Sequence, residues 1–352
     1  MSQSLTAKRP IQTLYSVPDR AKGVLPWIRA SLTGNGHWPA DLDSILAADE
    51  GVLPWLSYAL QNSGQLEVLI PEMQQKMKAS LRQTNMLHLA SEGEMQRLAS
   101  IAEARGIRLM AFKGHAVART LYPHAACRTT SDFDFLVDAG QLAELQNWLS
   151  DAGYLPTDPF AGTVWLGARN WVLGPGGTAR FHADIHWDYT SRMYFRRRLG
   201  FEEIWAESAA VPCGNKLLRV PCPADNLVIA CVHLAAFDPG LRVRLIWLLD
   251  IHLLMREMEG SSIPFFLERA QKARAVEACL VFGDMAAELG DRAEVAHVLD
   301  ALKEIADEGR WRFYQRTLRH RALDLGAYWW RLPVGDKARF FGDMVRWIGV
   351  RS

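Results

Sequence analysis

RTTSDFDFLV, residues 128–137, places two aspartates on either side of a phenylalanine and ends in an apolar run. Successive side chains of a β-strand point to opposite faces, so the pattern predicts a strand in which Phe133 and Phe135 face the core. Asp132 and Asp134 then share the other face, where their charges repel unless a cation lies between them. Mg²⁺ binds through such carboxylates together with substrate phosphates. The segment predicts part of a magnesium site, with a solvated edge or a turn as the alternative.

FHADIHWD, residues 181–188, has the same period of two. Its apolar side chains fall on one face of a strand, and the other face carries His182, Asp184, His186 and Asp188. If this strand lies beside the first, Asp184 becomes a third carboxylate in the same site. Three carboxylates can hold two divalent ions about 3.5–4 Å apart, an arrangement that supports in-line displacement at phosphorus. The His-x-Asp-x-His spacing also suits zinc, although no Cys or further His completes a set nearby.

A third candidate element, Phe112-Lys-Gly-His115, ends one predicted strand and begins a helix. The start of a helix offers unpaired N–H groups to a phosphate, and Gly114 lets the backbone approach it closely. Lys113 can supply a point charge to a triphosphate. Arg128, which precedes the two aspartates, is a second candidate for a phosphate contact. A Lys-Gly pair alone is most often only a turn, so its position shortly before the acidic pair is what gives it weight.

Helical periodicity flanks this centre on both sides. Predicted strands cover 107–112, 133–137, 163–173 and 178–188, and a Gly-Pro-Gly-Gly turn at 174–177 joins the last two. Predicted helices cover 39–62, 72–104, 115–122, 141–152, 225–237, 242–258, 265–289 and 291–321. The sequence therefore predicts an α+β fold, a small mixed sheet flanked by helices. We place an N-terminal helical region at 1–104, an α/β core at 105–210 and a C-terminal helical domain at 211–352.

The composition is that of a globular protein. Of 352 residues, 49% are hydrophobic and 22% charged, and the net charge is +1. Five cysteines form no C-x-x-C pair and no apolar run is long enough to span a membrane, so we expect a cytoplasmic protein without disulfides or a signal peptide. The charge is unevenly distributed, because residues 310–352 carry ten Lys/Arg against three Asp. That pattern occurs both in solvated helical faces and in segments that contact nucleic acid.

In their order along the chain, these motifs resemble the bacterial "uncharacterised nucleotidyltransferase" family, which is related to the nucleotidyltransferase superfamily of DNA polymerase β. The motifs that carry the resemblance are Lys113-Gly114, Leu121-Tyr-Pro123, Arg128, Ser131-Asp-x-Asp-x-Leu-Val137 and Asp184-Ile-His186-Trp187. Two later segments, 223–233 and 245–251, resemble helices of the family, so the resemblance covers roughly residues 85–290. It departs from the wider superfamily at the nucleotide helix, where Lys113-Gly114 replaces the usual Gly-Ser.

The resemblance implies an Mg²⁺-dependent nucleotidyltransferase that moves a nucleoside monophosphate from an NTP to an acceptor, which we expect to be a hydroxyl of a peptide, sugar or small molecule. The implied catalytic and metal-binding residues, for two ions, are Asp132, Asp134 and Asp184. Mn²⁺ is an alternative metal. The implied NTP-binding residues are Lys113, Gly114, Arg128, Ser131 and His186. The family leaves the acceptor open.

Three alternatives remain open at this point. Phosphoryl transfer from the γ-phosphate needs the same residues in a different triphosphate pose. A protein that retains the fold for binding without turnover is the second, although all three carboxylates are present. The third is modification of RNA, such as a tRNA end, in which the arginines of 310–321 pair with phosphates while Trp311, Phe313 and Tyr314 stack on bases. Helices rich in Trp and Arg more often pack onto their own domain.

Overall fold

The computed structural model describes residues 15–17, 19–34, 38, 51–157, 162–174, 181–236 and 243–351. Several predicted segments extend beyond these residues: the first part of the helix predicted over 39–62, the Gly-Pro-Gly-Gly turn after its first residue, the first three residues of the strand predicted over 178–188, and one residue each of the helices predicted over 225–237 and 242–258. Among the helices that the structure describes, none combines the length and the apolar character needed to cross a membrane. The five cysteines are free thiols.

A mixed sheet forms the centre of the described chain. Its strands are β1 (Leu109–Ala111), β2 (Phe133–Val137), β3 (Leu155–Pro156), β4 (Ala168–Leu173), β5 (Phe181–His186), β6 (Ala209–Cys213) and β7 (Lys216–Val220). They lie in the order β3-β4-β5-β2-β1-β7-β6. The pairs β2–β5 and β1–β7 are parallel, and the other neighbours are antiparallel. The predicted α+β fold with a mixed sheet is confirmed.

Helices precede the sheet, connect its strands and follow it. Those before it and between its strands are α1 (Asp19–Lys22), α2 (Leu25–Thr33), α3 (Leu53–Asn62), α4 (Pro71–Ala104), α5 (Gly114–Thr120), α6 (Leu142–Asp151) and α7 (Phe201–Ala206). Those after it are α8 (Pro223–Ala236), α9 (Leu245–Arg256), α10 (Ser262–Ala273), α11 (Val276–Ala287), α12 (Arg292–Ile305), α13 (Glu308–Arg319), α14 (Arg321–Trp329) and α15 (Val334–Arg351). Short 3₁₀ turns cover Leu66–Val68, Ala125–Cys127 and Ala139–Gln141.

Alternation along β2 separates two apolar cores. Phe133 and Phe135 are buried in one core together with α6 and the C-terminal half of α4. Leu136 lies in the other core, which the C-terminal helices α8 to α12 dominate. Asp134 shares the face of Leu136, because residues two apart on a strand point the same way. The acidic site therefore forms between the sheet and the C-terminal helices.

Two helices predicted as continuous are interrupted. The segment predicted over 265–289 forms α10 and α11, because Arg274 at the end of α10 has φ 54, a left-handed conformation that terminates the helix. No Gly or Pro marks that position. The segment predicted over 291–321 forms α12, α13 and the start of α14. The Asp307 side chain accepts hydrogen bonds from two backbone amides at the start of α13, which is an N-cap signal that the sequence contained.

The hairpin of β6 and β7 was not predicted from the sequence. It crosses the boundary predicted at residue 210, and its pairing with β1 extends the sheet to Val220. Most of β6 is exposed and Leu217 on β7 is 67% exposed, so neither strand shows a clean alternation of buried and solvent-facing residues. The available signal was the two-residue Gly-Asn turn, at which Gly214 has φ 56.

Candidate functional site

Strands β2 and β5 bring two of the predicted carboxylates side by side. They pair in parallel, with Asp134 opposite Asp184 and Leu136 opposite His186. The side chains of Asp134, Asp184 and His186 consequently point to the same face of the sheet. Their ligand atoms lie within 4.8 Å of one another. The adjacency of the two acidic strands, which the sequence analysis required for a shared site, is therefore met.

Asp132 lies one residue before β2 and joins the same cavity. It lines that cavity together with Asp134 and Asp184. The Ser131 hydroxyl donates a hydrogen bond to Asp132 Oδ1 at 2.9 Å. Burial raises the pKa of Asp132, and the neighbouring charge of Asp134 raises it further. The structure thus brings the three predicted aspartates together, and Ser131 contacts the site through Asp132.

Lys113 places a positive charge inside the acidic cluster. Its ammonium Nζ lies 2.8 Å from Asp134 Oδ1 and 3.3 Å from His186 Nε2. Burial by itself raises the pKa of Asp134, but Lys113 and His186 outweigh burial and hold that pKa well below its ordinary range. Burial and the Lys113 charge lower the pKa of His186 to about 4, so its ring is neutral at pH 7. Asp134 is therefore ionised at neutral pH, as a metal ligand must be.

The donor atoms of this cluster fit a hard divalent cation. Carboxylate oxygens are the ligands that Mg²⁺ and Mn²⁺ prefer, and the neutral ring of His186 can add a nitrogen. His182, the other histidine of the His-x-Asp-x-His pattern, is exposed. It does not belong to the metal-competent group found among the described residues. Asp134, Asp184 and His186 could therefore hold a divalent metal ion.

Lys113 has a backbone conformation that normally favours glycine. At the turn from β1 into α5 its φ is 52° and its ψ is −129°. Side chains with a Cβ are strained in such sparsely populated regions by about 1–3 kcal/mol. The strained residue is the one whose ammonium reaches Asp134, so the strain is located at the site itself.

Replacing Lys113 by glycine or by alanine separates this strain from the ion pair. Both variants lose the contact with Asp134, but only glycine adopts the positive φ without strain, because it has no Cβ. We expect the Lys113→Gly protein to have a free energy of unfolding about 1 kcal/mol higher than the Lys113→Ala protein in urea titrations, after the greater chain entropy of glycine is allowed for. Equal stabilities would mean that the turn relaxes once the ion pair is gone.

Arg128 is engaged in a buried ion pair. Its guanidinium donates to the two carboxylate oxygens of Asp250 at distances of 2.6–3.0 Å, and the Tyr122 hydroxyl donates to Asp250 at 2.8 Å. The Arg128 side chain is only 7% exposed. A Cβ at Gly114 would lie 2.7 Å from Arg128 Nη1, so the glycine makes room for this arginine. The phosphate contacts assigned to Arg128 and Gly114 stay predictions.

Helices α8 and α9 supply the rest of the cavity wall. The cavity has a volume of about 290 Å³, and its wall includes Asn226, His233, Arg244 and Trp247. The His233 and Trp247 rings meet edge to face, with centroids 5.4 Å apart. Burial and the Lys113 charge lower the pKa of His233 to about 3. Sequence reasoning gave these residues no site role, although the motif at 245–251 pointed to the correct helix.

The basic C-terminal segment offers little surface for stacking on bases. Trp311 and Tyr314 are each 1% exposed and belong to the apolar core of the helices. Phe313 is 43% exposed. Arg312 is paired with Glu308 on the same helix at 2.6 Å. Two of the three aromatic residues that the RNA alternative needs are therefore inaccessible.

A family model described as "Uncharacterised nucleotidyltransferase" matches residues 41–291. The match covers more than two thirds of the chain and includes the whole sheet, the acidic cluster and the helices that complete the cavity. No curated protein matches the chain.

Proposed function

This chain belongs to the uncharacterised nucleotidyltransferase family, and we propose that it transfers a nucleoside monophosphate from an NTP to a hydroxyl of a peptide, sugar or small molecule, with Mg²⁺ in the acidic cavity. Family membership supports the use of an NTP. The register of β2 and β5 carries the rest of the proposal, because it sets Asp134 opposite Asp184 with Asp132 in the same cavity. Three ionisable oxygen ligands in one cavity are what a two-ion site at phosphorus requires.

In this proposal the three aspartates bind metal, and one of them also acts on the acceptor. Asp132, Asp134 and Asp184 would together hold two divalent ions, and Asp184 would also lie beside the acceptor hydroxyl. When bound, the ions neutralise charge on the phosphates and lower the pKa of the attacking hydroxyl. Asp184 then orients that hydroxyl and takes up its proton. The acceptor oxygen forms a bond to the α-phosphorus, and the bond to the leaving pyrophosphate breaks.

The Lys113 ammonium can pair either with Asp134 or with a phosphate of the nucleotide. Its ammonium contacts Asp134 and His186, and both lie in the cavity that the triphosphate would enter. A phosphate oxygen is an equally good partner for an ammonium group. We propose that the Lys113 ammonium pairs with Asp134 in the free protein and contacts the triphosphate when the nucleotide is bound. His186 keeps the Lys113 side chain in place in both states.

The proposal is tested by following which phosphate of the NTP is transferred and to which class of acceptor. The full chain is incubated with Mg²⁺ and NTPs that carry ³²P at either the α- or the γ-position, together with heat-treated cell extract separated into peptide, small-molecule and RNA fractions. We expect α-label to enter the peptide or small-molecule fraction with release of pyrophosphate. Transfer of γ-label would identify phosphoryl transfer instead, and label in the RNA fraction would favour the RNA alternative. If no fraction is labelled and the protein does not bind nucleotide, the proposal is overturned.

A further inference from the structure

We infer that Arg244 is the arginine that binds the phosphates of the nucleotide, in place of Arg128, to which the sequence pattern assigned that contact. The inference rests on the proposed function, because it names a residue for the donor in the same cavity. Arg244 immediately precedes α9, and its side chain lines the cavity that holds Asp132 and Asp134.

The other two cationic side chains described in the wall of this cavity already have acidic partners. Lys113 pairs with Asp134 at 2.8 Å, and Arg128 pairs with Asp250 at 2.6 Å. Freeing Arg128 for a ligand would leave Asp250 buried at 6% exposure without its counter-charge. Loss of one partner from a buried pair is strongly destabilising, so Arg128 is poorly suited to leave Asp250 for a phosphate.

Arg244 differs from both, because its guanidinium has no hydrogen bond or ion pair with any residue in the described part of the chain. The side chain is partly buried, and its Cζ atom lies 5.5 Å from the centroid of the Trp247 ring. Gly51 also lies close to this guanidinium, since a Cβ on Gly51 would lie 3.1 Å from Arg244 Nη2. Gly51 is itself held by a hydrogen bond from the Thr129 hydroxyl to its carbonyl at 3.1 Å.

A partly buried guanidinium whose N–H groups have no acceptor can bind an anion that enters the cavity. Arginine presents its N–H groups in a planar fork, which fits phosphate oxygens bidentately. The ring of Trp247 and the backbone of Gly51 restrict the orientation of this fork, so less rotamer freedom is lost when it binds. Since the aspartates of the same cavity require metal ions, the matching ligand is an anion that arrives with metal. A metal-bound polyphosphate meets that description.

Separate probes for the phosphates and for the nucleoside test this assignment. Calorimetry with Mg²⁺-tripolyphosphate, with Mg²⁺-ATP and with adenosine is carried out on wild type, Arg244→Gln, Arg244→Lys and Arg256→Gln. Arg256 is the matched control, because it lies at the other end of α9, is 38% exposed and pairs with Glu294 outside the cavity. Mn²⁺ binding without phosphate, followed by electron paramagnetic resonance, reports on the acidic cluster alone.

We expect Arg244→Gln to weaken Mg²⁺-tripolyphosphate and Mg²⁺-ATP binding by about tenfold or more, as is typical of a charge-assisted contact. Its affinities for adenosine and for Mn²⁺ should stay unchanged. Arg244→Lys should fall between wild type and Arg244→Gln, and Arg256→Gln should match wild type. Normal phosphate binding by Arg244→Gln overturns the inference while leaving the proposed function intact, and so does a loss confined to adenosine. If wild type binds none of the metal–phosphate probes, both proposals fail together.

Discussion

Asp134→Asn is expected to lower the rate of transfer by at least about a thousandfold, the scale of losing several kcal/mol of transition-state stabilisation. Asparagine keeps the shape of the side chain but removes the charge that Mg²⁺ requires, and Asp134 is the cluster member that contacts both Lys113 and His186. Single-turnover measurements of α-label transfer give the rate. Asp138→Asn is the matched control, because Asp138 follows the same strand but pairs with Arg108 outside the cavity. It should retain the wild-type rate.

The same proteins show whether the lost rate reflects a lost metal site. Mg²⁺ should raise the melting temperature of wild type and of Asp138→Asn relative to EDTA, because an ion that binds only the folded state stabilises it. The increase should shrink in Asp134→Asn and in Asp184→Asn. The comparison uses this metal-induced increase rather than the absolute melting temperature, since Asp134→Asn also removes the ion pair of Lys113. Equal increases in all four proteins would place the metal elsewhere.

Local pattern was sufficient to predict the acidic strands. The strand predicted over 133–137 is observed as Phe133–Val137, because Phe133 and Phe135 are buried on one face and the apolar run that follows is buried as well. The strand predicted over 178–188 is observed as Phe181–His186 for the same reason. That the two strands lie side by side was only a condition of the predicted site, and their parallel direction was not predicted, since the period of two fixes the face of a side chain but not the neighbouring strand.

Contacts distant in sequence account for what the pattern did not predict. Arg128 and Asp250 are separated by 122 positions, and no local periodicity reports that one will neutralise the other. The role proposed for Arg244 has the same origin, because its lack of a hydrogen-bond or ion-pair partner among the described residues is visible only once α9 lies against the acidic strands. The break at Arg274 is a different case, because a left-handed residue other than glycine ends the helix and the sequence carries no Gly or Pro there.

Asp250→Ala is expected to lower the free energy of unfolding by about 3–5 kcal/mol, the cost of leaving a buried charge without its partner. Asp250 receives hydrogen bonds from Arg128 and Tyr122, and this network joins the segment that leads into β2 to helix α9. Urea unfolding of wild type, Asp250→Ala and the double variant Arg128→Met/Asp250→Leu measures the effect.

The double variant removes both charges and keeps apolar volume, so it should recover the lost stability apart from the hydrogen bond that the buried Tyr122 hydroxyl loses. It should still bind Mg²⁺-tripolyphosphate, because in our assignment Arg244 rather than Arg128 contacts the phosphates. A single variant within about 1 kcal/mol of wild type would contradict the buried pair, since surface ion pairs contribute no more than that. A double variant that is stable yet has lost phosphate binding would return the phosphate contact to Arg128. Stability and binding measured on the same two proteins therefore distinguish an arginine that joins the sheet to α9 from one that holds the substrate.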